Sequence, residues 1–476
     1  MNCIFLPKLN MEEKLKINKK VIMLKTGMAI MLLLLVFCAK AQTFKSGLDL
    51  IGKAEFHNLK KGDWDADKQT MNRYTDLRLR PWFNYEANKF ISARFVFEIG
   101  DMAFGGDKGG TIGADKEIVE LKNAYLDIAF TEKQSVAPIH DAKIRFGMQS
   151  HKDPHSLILE DDIAGLKYSG RYNAFFYDIA YYIPTDSGEK NINKDTYSFG
   201  TDLFNADIYY KINDNMTVGA YNLIKSDVSV HDAAADTLSA GYTDGGKDYV
   251  NKNSLYTWIS PYFKGTFGIV SLDAMLSFNT RSAEYEAVGE DIEVDGNAES
   301  SLEDGVENGS GMALSFKSTV KATETLSMGV NFAYIGGDKD GVDFWQPYKN
   351  KYNNGTQMIG YGLNDKTTYN LINTGAHGIM LPTVAAKYKL SDTMAFGGAV
   401  GMAMTTEDVE FTDADGKDQK ETYLGTEISL TGEFHVMEKL KVEPYFAIFM
   451  PGAASTKGAD KEDSQLRAGL VANIKF

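Results

Sequence analysis

The chain has 476 residues, 43% of them hydrophobic and 12% aromatic, with 44 Gly, 10 Pro and two Cys, a balance that excludes a collagen-like, low-complexity or wholly disordered protein. Both cysteines, Cys3 and Cys38, lie in the first 41 residues, and the remainder carries 43 Lys and Arg against 63 Asp and Glu, a formal charge of −20. Such a deficit of cations speaks against nucleic acid as a partner, and once the leader is removed no thiol is left for a disulfide, a thiolate enzyme or a Cys-ligated zinc site.

The first element is that leader. Lys19, Lys20 and Lys25 precede an apolar run from Thr26 to Phe37, and Ala39-Lys40-Ala41 follows with small residues at the two positions a signal peptidase reads. The pattern predicts a secretory signal peptide over 1–41, removed so that the mature chain begins at Gln42. A transmembrane anchor is the competing reading, but it needs roughly twenty apolar residues and the run holds about a dozen. Leu35-Val36-Phe37-Cys38 makes a poor lipoprotein box, because Phe37 is large where a small residue belongs. Met23 also opens a compact signal of its own, so residues 1–22 read either as an extended n-region or as an over-extended start.

From Gln42 onward apolar residues recur at every second position, which predicts half-buried strands; helices would repeat every three to four. About eighteen segments follow, near 45–57, 72–86, 90–100, 117–130, 141–150, 164–172, 174–184, 197–211, 215–225, 253–265, 268–281, 310–322, 326–336, 378–390, 393–405, 421–435, 439–450 and 464–476, with sixteen the neighbouring even count. In the second, Leu77, Leu79 and Phe83 oppose Arg78, Arg80 and Asn84; in the third, Ile91, Ala93, Phe95, Phe97 and Ile99 oppose Ser92, Arg94, Val96, Glu98 and Gly100. The fifth sets Ile144, Phe146 and Met148 against Lys143, Arg145 and Gln149. The last sets Leu466, Ala468, Leu470, Ala472, Ile474 and Phe476 against Gln465, Arg467, Gly469, Val471, Asn473 and Lys475. No long amphipathic helix interrupts the series.

The connections sort into two kinds. Links at 86–89, 212–215, 323–325, 391–393 and 436–438 are short and polar. They alternate with long polar stretches at 58–71, 101–116, 150–163, 185–196, 226–252, 282–309, 337–377, 406–420 and 451–463, the link 131–140 being an exception. Short turns at one end and long loops at the other match a barrel with tight periplasmic turns and extended extracellular loops, an arrangement a soluble sandwich has no reason to adopt.

Signal peptide, strand rhythm, loop asymmetry and the terminal aromatic together resemble the Gram-negative outer-membrane porins over residues 42–476, with Phe476 in the place of their C-terminal assembly signal. The resemblance rests on no subfamily motif. It implies an all-β fold, a transmembrane antiparallel up-and-down β-barrel in the cell outer membrane, surrounded by outer-membrane lipid. The implied function is a water-filled channel for passive diffusion of small hydrophilic solutes or ions, with a homotrimer as one assembly open to it and no cofactor. Physics agrees with closure, because hydrocarbon gives backbone amides no hydrogen bonds and a membrane sheet can leave no edge. A ring of about eighteen strands also encloses a lumen too wide for side chains to fill. Tyr181, Tyr182, Tyr209, Tyr210 and Tyr262, near strand ends, are candidates for interfacial girdles.

All eight Arg lie in or beside predicted strands, and in this register Arg78, Arg80, Arg94, Arg145, Arg171 and Arg467 share the face away from lipid. Because closure sets the last strand beside the first, these six are expected to form one contiguous basic ladder. In the third long loop, apolar Leu157, Ile158 and Leu159 precede Glu160, Asp161 and Asp162. Folded inward, the loop would face these carboxylates toward the ladder across a narrowed lumen, which resembles the constriction of general porins and would set selectivity by a transverse field. The competing expectation is that the arginines only satisfy Glu98, Asp127 or loop carboxylates and that the loop stays outside.

Other signals are weaker. Outer-loop carboxylates such as Asp291, Glu293 and Asp295 would gather cations at the mouth. Asp413-Ala414-Asp415-Gly416-Lys417-Asp418, with Glu421, faintly resembles a calcium loop, but its glycine is misplaced for an EF-hand and a solvated hairpin tip is favoured. Phe344, Trp345, Tyr348, Tyr352, Tyr361 and Tyr369 in the longest loop either stack on sugars, plug the mouth or build the loop's own small core. No metal-ligand spacing exists among the seven His. Two further classes stay open: a substrate-specific channel for carbohydrate, phosphate or a hydrophobic compound, and a barrel enzyme, for which His435 lies on a polar strand face with Ser429 nearby in sequence, a spacing that is no signature.

Overall fold

The computed structural model describes residues 43–58, 72–103, 119–130, 139–184, 201–228, 243–244, 247–288, 305–338, 345, 347–359, 377–413, 415–457 and 463–476. The leader, Phe344, Tyr361, Tyr369 and the Asp291–Asp295 stretch lie outside the described residues.

One antiparallel sheet contains β1 (Thr43–His57), β2 (Asn72–Asn88), β3 (Ile91–Ala103), β4 (Val119–Ala129), β5 (Ile139–Lys152), β6 (Glu160–Tyr172), β7 (Phe175–Ile183), β8 (Thr201–Asn213) and β9 (Met216–Val228). It continues through β11 (Lys247–Phe267), β12 (Val270–Val288), β13 (Gly305–Lys321), β14 (Leu326–Ile335), β15 (Ile379–Lys389), β16 (Met394–Thr412), β17 (Asp418–Met437), β18 (Leu440–Pro451) and β19 (Gln465–Lys475). The two-residue β10 (Thr243–Asp244) pairs only with the start of β11, so 18 strands build the wall. Each wall strand pairs with the next in sequence, and β1 pairs with β19 from Asp49↔Lys475 to His57↔Arg467, closing the cylinder. Closure satisfies every edge, as a lipid-embedded sheet requires.

The two faces of the wall follow the alternation. Phe146 is 64% exposed and Val384 56%, whereas Gln149 is fully buried inside. Large apolar side chains are exposed on strand after strand, a surface that water would penalise and that hydrocarbon accepts. At the short-turn end Phe44, Phe83, Phe90, Phe130, Phe175 and Phe267 are exposed and form the aromatic girdle. Only part of the tyrosine expectation fits. Tyr210 lies against Phe175 and Tyr181 against Phe204, but Tyr182 and Tyr262 are buried in the interior and Tyr209 packs against the same core. Successive strand residues point to opposite faces, so one member of each Tyr-Tyr pair has to turn inward.

Several strands run past their predicted ends. Strands β11, β12, β13, β16 and β17 run on to Lys247, Val288, Gly305, Thr412 and Asp418, and on β16 the extension still packs Val409 and Phe411 against the interior core. The 406–420 stretch contracts to a turn in which Asp413 Oδ1 accepts the N–H groups of Asp415 and Lys417, at 3.0 and 2.9 Å. At the opposite end Asn88 Oδ1 accepts from Phe90 and Ile91 at 2.8 and 3.0 Å, tightening the β2–β3 turn. A one-turn helix, α1 (Ala453–Thr456), precedes β19.

The third long loop also differs from expectation. Residues 150–152 belong to β5, and Glu160, Asp161 and Asp162 are the first residues of β6, paired with Lys152, His151 and Ser150. The loop proper is 153–159. Pairing of β4 with β5 ends at Ala124↔Met148, whereas the β5–β6 ladder continues to Lys152↔Glu160, so the hairpin tip parts from the wall and enters the lumen.

Candidate functional site

Two chain segments meet inside the barrel. The first is the β5–β6 tip. Asp153 is almost fully buried, and its carboxylate accepts the N–H groups of His155, Leu157, Ile158 and Leu159 at 2.7–3.2 Å, which folds the loop on itself. Burial pushes this carboxyl above its ordinary range, opposed by those four hydrogen bonds. Leu157, Ile158 and Leu159 are fully buried in one cluster with Tyr221 and Leu223 of β9 and Trp258 of β11. His155 reaches further: its Nδ1 lies 2.7 Å from Ser315 Oγ and its Nε2 2.6 Å from Asp273. His151 sits between the hydroxyls of Tyr182 and Tyr221, at 3.0 and 2.9 Å.

The second segment is 347–359, from the connection between β14 and β15. Tyr348 and Lys349 both donate to Ile158 O at 3.0 Å, Lys351 donates to Ser156 O at 3.0 Å, and Glu160 donates to Lys349 O at 2.7 Å. The two loops are thereby one backbone-bonded insert. Beyond it the chain runs extended over the inner wall. Tyr352 lies beneath Lys317 of β13, Asn354 donates to Thr383 of β15 at 2.9 Å, and Asn331 of β14 donates to Asn354 O at 2.5 Å. Burial pushes the Tyr352 hydroxyl up to about 12. Thr356 fills the space over Gly401 of β16, where a Cβ would come within 2.6 Å of Thr356 Cγ2. Further along, the segment meets Glu427 of β17, whose carboxylate accepts the N–H groups of Gln357, Met358 and Ile359 at 2.6, 2.9 and 2.8 Å. Two residues of extended chain, roughly 6.5 Å, carry this strap about one strand spacing of 4.8 Å further around the wall.

The strap therefore buries Tyr352, Asn354, Thr356 and Met358 and turns Lys351, Asn353, Gly355 and Gln357 toward the lumen. Hydropathy gives no sign of this alternation, since the buried side is largely polar and meets a polar wall.

The predicted arginines line the inside and each has a partner. Arg80 lies 2.5 Å and Arg78 3.5 Å from the Glu98 carboxylate. Arg145 makes two bonds to Asp127, at 2.7 and 2.9 Å, and stacks over Tyr125, while Arg171 lies 3.0 Å from Asp141. Arg94 donates to the neutral Asn84 at 2.9 Å and lies over Trp82. Arg467 bridges Glu55 of β1, at 3.1 Å, and the strap carbonyl of Gln357, at 2.5 Å. The acidic trio divides. Asp162 pairs with Lys122 at 2.5 Å, Lys122 being 3.7 Å from Glu98, so it joins the arginine wall through a lysine. Asp161 pairs with Lys349 of the strap at 2.8 Å, and Glu160 contributes its backbone to the insert.

A cavity of about 780 Å³ lies along the seam where the barrel closes, bordered by Lys53, Asp76, Arg78, Glu443, Arg467 and, from outside the strands, Gln357. Next to it lies a cavity of about 230 Å³ lined by Thr319, Ser327, Asn331, Ser429 and Thr431, which shares Lys387 with the larger one. His435 and Ser429 stand on one lumenal face of β17, but six residues of strand set them about 20 Å apart, and His435 bonds Glu433 at 3.1 Å instead. Among the described residues no cluster of three or more His, Cys, Asp or Glu is placed to hold a metal.

No family model matches the sequence, and no curated protein matches it. Among solved structures the chain is similar to OccAB1 of Acinetobacter baumannii, with a TM-score of 0.52 and 11% identity over 92% of this chain and 97% of that one. It is equally similar to OpdQ of Pseudomonas aeruginosa, with a TM-score of 0.52 and 9% identity over 92% and 98%. The fold is that of the Gram-negative outer-membrane β-barrels.

Proposed function

We propose that the protein is an outer-membrane channel through which small hydrophilic solutes or ions diffuse passively. The observation that carries this reading is the closed 18-strand cylinder with apolar side chains outside and a charged, hydroxyl-lined cavity of about 780 Å³ inside. The lumenal arginines with their carboxylate partners form a polar wall that orients a permeating dipole. Delivery to the outer membrane through a cleaved leader over 1–41, and assembly as a homotrimer, belong to the same proposal.

A second reading, a substrate-specific channel, is favoured by the inner strap, which confines the passage to one side of the barrel. Planar-bilayer recording of refolded protein tests the first reading, and a solute panel separates the two. Discrete conductance steps are expected. Their absence, from protein that shows the heat-modifiable gel mobility of a folded barrel, would overturn the channel. Saturable block of the current by one solute would select the specific form.

A further inference from the structure

Resting on the channel reading, we infer that Gln357 is the specificity-determining residue of the passage, and that its uncharged amide fits the lumen to small polar solutes of no net charge. Among the described residues, Gln357 is the one from outside the wall strands that borders the larger cavity. Its peptide is held on both sides: the N–H donates to Glu427 at 2.6 Å, and the carbonyl accepts from Arg467 at 2.5 Å. The flanking Thr356 and Met358 are buried, while Gln357 itself is half-exposed toward the lumen. A backbone clamped in this way fixes where the side chain stands, which is what a selectivity position requires.

Its surroundings define the solute. Lys53 lies 2.8 Å from Glu55, Lys387 2.8 Å from Glu433, and Lys441 2.8 Å from Glu443. Arg467 shares Glu55 with Lys53, and the neighbouring cavity adds hydroxyls and an amide. The cavity thus presents paired charges and hydrogen-bonding groups around an amide, a lining that solvates dipoles and polar groups and gives a monovalent ion of either sign no net preference.

The test places opposite charges at this one position. In a salt gradient across a planar bilayer, the reversal potential of each variant is read against that of the wild-type channel. Gln357→Glu should move the reversal potential toward that of the cation and Gln357→Lys toward that of the anion, with Gln357→Asn unchanged. Liposome swelling should show uncharged and zwitterionic solutes entering the wild type faster than singly charged analogues of equal size. Reversal potentials that stay put in both charged variants, or that shift in the same direction, would overturn the proposal while the channel reading stands. A wild-type barrel that inserts but carries no current would overturn the channel reading itself.

Discussion

Glu427 accepts the backbone N–H of Ile359 at 2.8 Å across 68 residues of sequence, and it takes the N–H groups of Gln357 and Met358 as well. A single wall carboxylate thereby anchors the inner strap as a capping side chain anchors a helix end, by satisfying three consecutive donors. Replacing it with alanine leaves those donors enclosed without an acceptor, at a cost of roughly 1–3 kcal/mol each. Glu427→Ala is therefore expected to free the 345–359 segment while the barrel wall persists. Single-channel recording should show a larger and noisier conductance, and an unchanged, quiet current would show that the strap is held by other contacts.

Gly401 gives an independent way to lift the same segment. A methyl group there would stand 2.6 Å from Thr356 Cγ2 and 3.0 Å from Thr383 Oγ1, and Thr356 is fully buried. Gly401→Ala should push Thr356 off the wall and strain the bonds to Glu427, reproducing the Glu427→Ala phenotype in weaker form. Because both changes release the same segment, the double variant should add little to Glu427→Ala alone. Additive conductance changes would place the two residues in separate devices.

The strands announce themselves in the sequence, and the strap does not, for one physical reason. The outer face meets hydrocarbon, so Phe95, Phe97 and Ile99, or Leu466 and Leu470, have to alternate with polar neighbours. The strap meets a polar wall, so Asn354 and Thr356 are buried without any hydropathy signal. The Leu157-Ile158-Leu159 run was readable because it packs on apolar wall residues such as Leu223 and Trp258, which the same alternation would have assigned to a polar lumen. Ion pairs between neighbouring strands, such as Arg80 with Glu98, are within reach of the sequence, but those made by the strap are not. Asp127, a candidate partner already in the sequence, faces Arg145 across the adjoining β4–β5 ladder, whereas Asp161 turns to Lys349, 188 residues away.

His155 ties the β5–β6 tip to the far wall through Ser315 and Asp273. His155→Ala removes both bonds, though Asp273 keeps Lys264 at 3.5 Å, so the loss falls mainly on the tip. A bond to a charged group contributes about 1.5–3 kcal/mol, which corresponds to at least about tenfold in a local opening equilibrium. Amide hydrogen exchange across 153–159 should accelerate by that order, with exchange in the β12–β13 ladder unaltered. Equal protection in wild type and variant would mean that the buried Leu157–Leu159 cluster holds the tip unaided.

The six arginines of the expected ladder differ in how much charge they offer to a passing ion. Arg145 is matched by Asp127 through two hydrogen bonds, so removing its charge exposes a carboxylate that Lys143, at 3.4 Å, still covers in part. Arg94 bonds a neutral amide and lies over Trp82, and its charge reaches the lumen without a carboxylate against it. Arg94→Gln should therefore shift the reversal potential toward cations by removing a field that acts directly on the solute. Arg145→Gln should act chiefly by loosening Asp127 and Tyr125, lowering the stability of the folded barrel to denaturant more than it changes selectivity. Salt separates the two effects, because the Arg94 shift should shrink as ionic strength rises and screening shortens the reach of its charge. A shift of equal size and equal salt dependence in both variants would mean that the wall acts as one delocalised charge and that individual pairings do not matter.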